Sequence, residues 1–498
     1  MAVKRKPKKR GAPDLYVDGD VIRKALNSMT IKKNRSPQVV KSPKVRKTHR
    51  SPSVKTRDTK FLDMNDPIVK TELDLFTNIR DHYQTDIEST VDEEIRPTTA
   101  VSQVSSVFEF VIKGTPDEYI DPTQINLYVE GQLSKADLSS LDIGQNTSVV
   151  NNTLHSLFAS VDVELNDNLI TLGQNYAYRA YLENLLYYGK SAKDTWLTSE
   201  MWYKDTAGQM NSTNVSGDPG NKRLQDRDFW FQRSRKVEKY GRLKIDLANQ
   251  EKLLLNNVDV RIRLRRTPDA FCLMSETKDK NEKFLINNIS LFVRRVKVSD
   301  RLKSAHDSIL TKHVACYPLT RKEVKVINLP NGVRNANLDN IYIGTMPKRI
   351  IFGIVDDNAF SGVYDKSPFL FNHNDLKHLR LTVAGEQIPF KPYNFDFSVN
   401  EGLNYIRAYY DLLLSVGAAG GESDIDLSRL DYLYGNTLFG FDLTADKNFE
   451  NYISPTRQGT LNINLEFDKA TNNSVLVVLA EFDSVIKIDQ RRSVYIEY

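Results

Sequence analysis

Apolar and polar residues alternate one by one over several short stretches of this chain. Val258, Val260, Ile262 and Leu264 are separated by Asp259, Arg261 and Arg263; Leu461, Ile463, Leu465 and Phe467 are separated by Asn462, Asn464 and Glu466. A period of two puts one set on a buried face and the other in water, as in an antiparallel sheet. Similar patterns predict strands at 107–112, 125–129, 161–165, 324–327, 350–355, 379–383 and 475–479, punctuated by Gly, Asn, Asp and Pro. Many short strands at this spacing indicate sandwiches or barrels.

Two segments break the alternation with a helical period. Tyr178, Tyr181, Leu182, Leu185 and Leu186 form one apolar stripe; Ile406, Tyr409, Tyr410, Leu413 and Leu414 form another. The segments align without gaps over 179–189 and 407–417, with six of eleven residues identical, and each ends on a glycine suited to a helix C-cap. A strand and turn precede each helix, at 161–170 and 379–388. After each come Leu243–Leu247 and Leu438–Leu443, both ending in Asp-Leu, and then the alternating strands above. This collinear series predicts two copies of one all-β unit with an embedded helix, each of about 200 residues. The first copy carries 32 extra residues within 190–240, and this insertion holds Trp196, Trp202 and Trp230. Aromatic residues on a long loop suit an interface between subunits, or else a loop that folds on itself.

Composition divides the chain further. Its 498 residues exceed one ordinary domain. The net charge of +5 conceals an asymmetry: residues 1–60 hold 19 Lys and Arg against four Asp, leaving the remaining 438 residues at about −10. The tail has no periodic apolar pattern and reads as disordered, with Ser-Pro steps at Ser36, Ser42 and Ser51. Its basic residues include the block Lys4, Arg5, Lys6, Lys8, Lys9 and Arg10, then Lys32, Lys33, Arg35, Lys41, Lys44, Arg46, Lys47 and Arg50. Such a segment predicts a polyanionic partner, nuclear import, or both, and its Ser-Pro serines are candidates for phosphorylation. Residues 61–98 turn acidic and read as a connector. The predicted domains are therefore a tail (1–60), a connector (61–98), a first all-β unit (99–299), a linker (300–312) and a second all-β unit (313–498).

Catalytic and metal-binding patterns are missing from the sequence. Cys272 and Cys316 cannot build a disulfide framework or a four-ligand zinc site by themselves. His373 and His378 are spaced wrongly for two ligands on one helix face. The adjacent carboxylates Glu93-Glu94 and Asp356-Asp357 would point to opposite faces of a strand. No phosphate loop or nucleophile elbow is present, so no cofactor is expected. No apolar run of eighteen residues exists, so no membrane span is expected, and the chain reads as intracellular at synthesis.

Several stretches carry a family resemblance. Residues 158–170 (FASVDVELNDNLI) and 180–189 (AYLENLLYYG) resemble the double jelly-roll major capsid proteins of Polinton (Maverick) elements and adintoviruses. So do 317–321 (YPLTR), 366–371 (KSPFLF), 383–389 (VAGEQIP) and 440–443 (GFDL) in the second half. The resemblance covers residues 99–498 and excludes the tail. It implies two fused eight-stranded jelly rolls and a structural, non-enzymatic role. Three subunits would then form a pseudo-hexagonal capsomer of an icosahedral virion shell around double-stranded DNA, with a separate penton protein. With the basic tail it implies assembly in the host nucleus. Two other classes stay open on residues alone. A carbohydrate-binding β-sandwich would explain the strands and aromatic loop but not the tail. A nuclear DNA-binding β-sandwich would explain the tail but not the duplicated body.

Overall fold

The structure is a computed structural model. It describes residues 84–102, 105–142, 145–215, 220–276, 281–398, 403–419, 424–447 and 453–497.

Eight strands make the two main sheets of the first half: β1 (Ile87–Ile95), β2 (Val107–Ile112), β3 (Glu118–Ser134), β4 (Phe158–Leu165), β5 (Asn168–Gln174), β6 (Val237–Arg242), β7 (Val260–Arg266) and β8 (Lys283–Val298). Eight make the second: β9 (Ala315–Leu329), β10 (Asn335–Thr345), β11 (Arg349–Asp356), β12 (Leu376–Val383), β13 (Glu386–Asn394), β14 (Leu438–Asp442), β15 (Gln458–Phe467) and β16 (Ser474–Ile488). A short β17 (Val494–Glu497) pairs with β16. The first half has two four-stranded sheets, ordered 1-8-3-6 and 2-7-4-5, and a small antiparallel pairing of Thr147–Val149 with Leu273–Ser275; the second has 9-16-11-14 and 10-15-12-13. Adding eight to every strand of the first half yields the second. Every pairing between these strands is antiparallel. Each half is thus a jelly roll of two four-stranded sheets.

Alternation explains why these segments are strands. In β7, Val260, Ile262 and Leu264 are fully buried, whereas Arg261, Arg263 and Arg265 face outward toward carboxylates such as Glu164. Phe108, Phe110 and Ile112 on β2 and Ile125, Leu127 and Val129 on β3 fill the space between the first two sheets.

Four helices matter below: α1 (Tyr176–Tyr187), α2 (Lys222–Phe231), α3 (Asp300–Leu310) and α4 (Ile406–Ser415). The aligned helices α1 and α4 each leave the 4-5 or 12-13 hairpin of their roll.

Three segments differ from the sequence expectation. The acidic connector 61–98 contains strand β1, which pairs with β8 from Ile87↔Val298 to Ile95↔Leu291. Its acids pair with cations on β8 while staying partly exposed: Glu88 with Lys297, Asp92 with Arg294 and Glu93 with Arg295. The linker 300–312 contains helix α3, whose N-cap Ser299 accepts from the Leu302 N–H at 3.4 Å. Leu243–Leu247, expected as a strand, follows β6 and enters a 3-10 turn at Asp246–Asn249.

Candidate functional site

The junction between the rolls is built around α1. Its apolar stripe faces a sheet, as the 3.6-residue period requires, but every residue from Tyr176 to Leu186 is buried, including those off the stripe. The second roll supplies part of the cover. The ring of Tyr181 stacks on Phe369 at 4.2 Å, and Tyr178 lies 5.5 Å from Phe360 and 5.6 Å from Phe369. The Tyr181 hydroxyl donates to Asn436 Oδ1 at 3.2 Å.

Charged groups in this buried junction form a chain across the two rolls. Arg179 reaches Glu183 at 3.0 Å and Asp246 at 2.8 Å, both within the first roll. From β9 of the second roll, Lys322 Nζ lies 3.3 Å from Glu183 and 3.4 Å from Glu481, and its backbone N–H donates to Asp246 Oδ1 at 3.1 Å. Glu481 also binds Arg349 and accepts from the Tyr187 hydroxyl at 2.7 Å. Burial would raise the Glu183 carboxyl, but Lys322 and Arg179 outweigh it and hold it down to about 2. The same contest, with Lys322 and Arg349 as the cations, lowers Glu481. An ion chain of this kind fixes register between rolls, because a misaligned partner would strand a charge out of water.

A second buried cluster lies inside the first roll. His155 donates or accepts at Tyr176 Oη (2.8 Å) and meets Glu200 at 3.1 Å, while Lys244 lies 3.6 Å from Glu200. Burial lowers the His155 pKa against the pull of Glu200, so the ring is neutral at neutral pH. All three side chains are enclosed, so the arrangement braces the core and presents no group to a substrate.

The insertion joins the rolls as well. The Lys190 N–H donates to Asp424 O at 2.7 Å, the Gly208 N–H to Tyr434 O at 2.8 Å, and Asn211 Oδ1 accepts from the Ser367 N–H at 2.8 Å. Lys204 pairs with Asp426 at 3.2 Å and Asp431 at 3.0 Å. Segment 190–211 therefore clasps the second roll.

The three tryptophans separate. Trp202 is only 1% exposed and lies 5.3 Å from the Tyr181 ring, so it is a core residue and is not available to a subunit interface. Its indole fills the space between α1 and the clasp, which corrects the expectation for this position. Trp196 and Trp230 are 46% and 45% exposed; Trp196 packs edge-on against Tyr188, and Trp230 Nε1 donates to Tyr203 Oη at 3.0 Å.

The basic tail residues from Lys4 to Arg50, with Ser36, Ser42 and Ser51, lie outside the described residues. Among the described residues, no group of three or more His, Cys, Asp or Glu is placed to hold a metal. No described helix is long and apolar enough to cross a membrane. His373 stacks on Phe397 at 4.3 Å, and its Nδ1 accepts from the Asp375 N–H.

The junction network was not read from the sequence, although a signal existed. Arg179 and Glu183 stand four apart on a helix whose other residues, Asn184 apart, are apolar or aromatic, the spacing of an intrahelical ion pair forced into a core.

Comparison with known proteins agrees with this geometry. No family model matches the chain. An uncharacterized protein of Caenorhabditis elegans is 26% identical over 352 residues, covering 69% of this chain and 80% of that protein. Among solved structures, a chain of the Sputnik virophage superposes with a TM-score of 0.56 at 11% identity, covering 83% of this chain and 89% of its own. A chain of the PBCV-1 virus capsid superposes with a TM-score of 0.53 at 10% identity, covering 84% and 98%. With its two rolls in one strand order and its helix at the same place in each, this chain has the double jelly-roll fold shared by those viral chains.

Proposed function

We propose that this chain is the major capsid subunit of a double-stranded DNA virus or virus-derived element of the Polinton, Maverick and adintovirus kind, without enzymatic activity. The duplication carries the reading: two rolls of one strand order, fused side by side, give one subunit two of the six positions in a hexagonal unit. Three copies then supply six. The fold shared with a chain of the PBCV-1 virus capsid supports a shell-forming role, and the motifs at 158–170, 180–189 and 383–389 support the narrower kinship.

The remaining parts fit that assignment. The basic tail contacts the packaged DNA through phosphates and carries the import signal for assembly in the nucleus. The acidic body keeps the outer faces of the shell from competing for nucleic acid. A separate penton protein fills the fivefold positions, which a pseudo-hexagonal unit does not fit.

Size-exclusion chromatography with light scattering, followed by negative-stain imaging, tests this. The expected species has three times the 57.0 kDa of one chain and a near-hexagonal outline. A chain that stays monomeric at every salt and protein concentration would overturn the reading.

A further inference from the structure

Helix α4 is the counterpart of α1, yet its surroundings are different. The stripe Tyr178, Leu182 and Leu186 of α1 is buried, in part under Phe360 and Phe369 of the second roll. The aligned stripe of α4 is Ile406, Tyr410 and Leu414, and these are 38%, 51% and 47% exposed. Only Ala408, Leu412 and Ser415 of α4 are buried, against their own roll. Beside the stripe, Phe390 is 94% exposed.

The polar groups repeat in the same way. Arg179 and Glu183 of α1 have their counterparts in Arg407 and Asp411 of α4, an ion pair at 3.7 Å. In the first roll the pair is capped by Lys322 of β9 and is almost dry. In the second roll it borders an open cleft of about 440 Å³, lined by Phe390, Tyr393, Leu414 and Asp442 as well. One acidic oxygen there, Asp442 Oδ2, is buried without a hydrogen-bond partner.

We infer that the α4 face of each copy is covered by the first roll of a second copy, with strand β1 lying where β9 lies over α1. The internal repeat names the occupant. Strand β9 is the first strand of the second roll, and its counterpart under the eight-strand shift is β1. Strand β1 is an edge strand exposed over most of its length, with Ile87 42% and Val91 58% exposed. Among the described residues its outer edge pairs with no other strand, which leaves backbone groups for a partner. Each copy therefore offers one acceptor, α4, and one donor, β1. Such a contact is heterologous, and repeated through a rotation it closes into a ring. The inference rests on the trimeric capsid reading and supplies the surface that makes it.

Two variants of the full chain test it. Variant one carries Tyr410→Asp and Leu414→Asp; variant two carries Val91→Arg. All three positions are exposed, so circular dichroism and thermal melting should match the unmodified chain, and Tyr410→Ser with Leu414→Ser is the milder substitute should variant one melt early. The expected result is that each variant alone sediments as a monomer, with association weakened on the order of a hundredfold. Mixed together they should form dimers, since variant one retains β1 and variant two retains α4. An unmodified chain that is itself monomeric would defeat the trimer reading. A trimeric unmodified chain with a trimeric variant one, a trimeric variant two, or no dimer on mixing would overturn this inference alone.

Discussion

Lys322 of the second roll sits 3.3 Å from Glu183 of the first, and the two side chains are only 11% and 5% exposed. The two residues are 139 positions apart in the chain and belong to different jelly rolls. Their contact binds the halves into one body, because separating the rolls would expose a chain of ions whose geometry is made only when both are present.

Replacing Lys322 with Met should therefore cost about 3 kcal/mol of stability, since Glu183 and Glu481 lose a shared cation inside the protein. Combining Lys322→Met with Glu183→Gln should restore part of the loss. A double-mutant cycle read by denaturant melting is expected to show coupling of at least about 1 kcal/mol. Strict additivity would mean the pair is not a working contact.

Acid should weaken the junction with a definite sign. The folded Glu183 carboxyl is held at about 2, below its ordinary 4.5, so the unfolded chain takes up the proton first as pH falls. Its stabilising contribution is complete above about 4.5 and is lost as the pH drops toward 2. Glu183→Gln should flatten the stability profile across that window. An identical slope in both proteins would contradict the assignment.

A slope of the same sign is expected again on the alkaline side. Lys239 is buried against the rings of Phe231 and Phe284, and burial lowers its pKa from 10.5 to about 7. Between those values the unfolded chain binds more protons, so stability rises with pH. Lys239→Met should be more stable than the unmodified chain at pH 7, and the gain should shrink by at most about 1.4 kcal/mol per pH unit on approach to 10.5. Melting temperatures across pH 7–10 would reveal it.

The tryptophans should behave unequally. Trp202→Ala opens a cavity between α1 and the clasp and is expected to cost about 3–5 kcal/mol. Trp196→Ala and Trp230→Ala should each stay within about 1 kcal/mol for the isolated subunit. Equal losses at all three would show that the exposed pair is also structural.

For the tail, gel shifts at several salt concentrations are the direct measure. The full chain should bind duplex DNA without sequence preference, and its affinity should fall steeply with salt. Residues 61–498 should bind hardly at all. Aspartate at Ser36, Ser42 and Ser51 should weaken binding by adding negative charge to a segment of about +15. Undiminished binding by the shortened chain would leave import as the tail's purpose.

The fold was legible where one physical rule acted alone. β7 and β15 have one dry face and one wet face, so their alternation is plain, and the repeated stripe exposed both α1 and α4. Strand β1 was hidden because its partners hold it by charge: Glu88, Asp92 and Glu93 satisfy cations on β8, and only Ile87, Val91 and Ile95 remain apolar. The sequence also left Trp196, Trp202 and Trp230 undivided between an interface and a self-packed loop, since nothing local distinguishes an indole under the clasp from one on its surface. The junction ions were illegible for a further reason. Lys322 and Glu183 are brought together only by the packing of two finished rolls, and neither neighbourhood mentions the other.

The shared cover of α1 also sets an order of events during synthesis. Tyr178 and Tyr181 leave the ribosome about 190 residues before Phe369 and Phe371, which later lie against them. At roughly 5–20 residues per second the aromatic face waits about 10–40 seconds for its partner. Throughout that interval the nascent first roll is sticky at the surface where its own second half must dock, and another nascent chain on the same messenger offers the same second half. Holding such chains apart until each is complete is a task for the cell's chaperones, and yield should depend on them more than the final stability suggests.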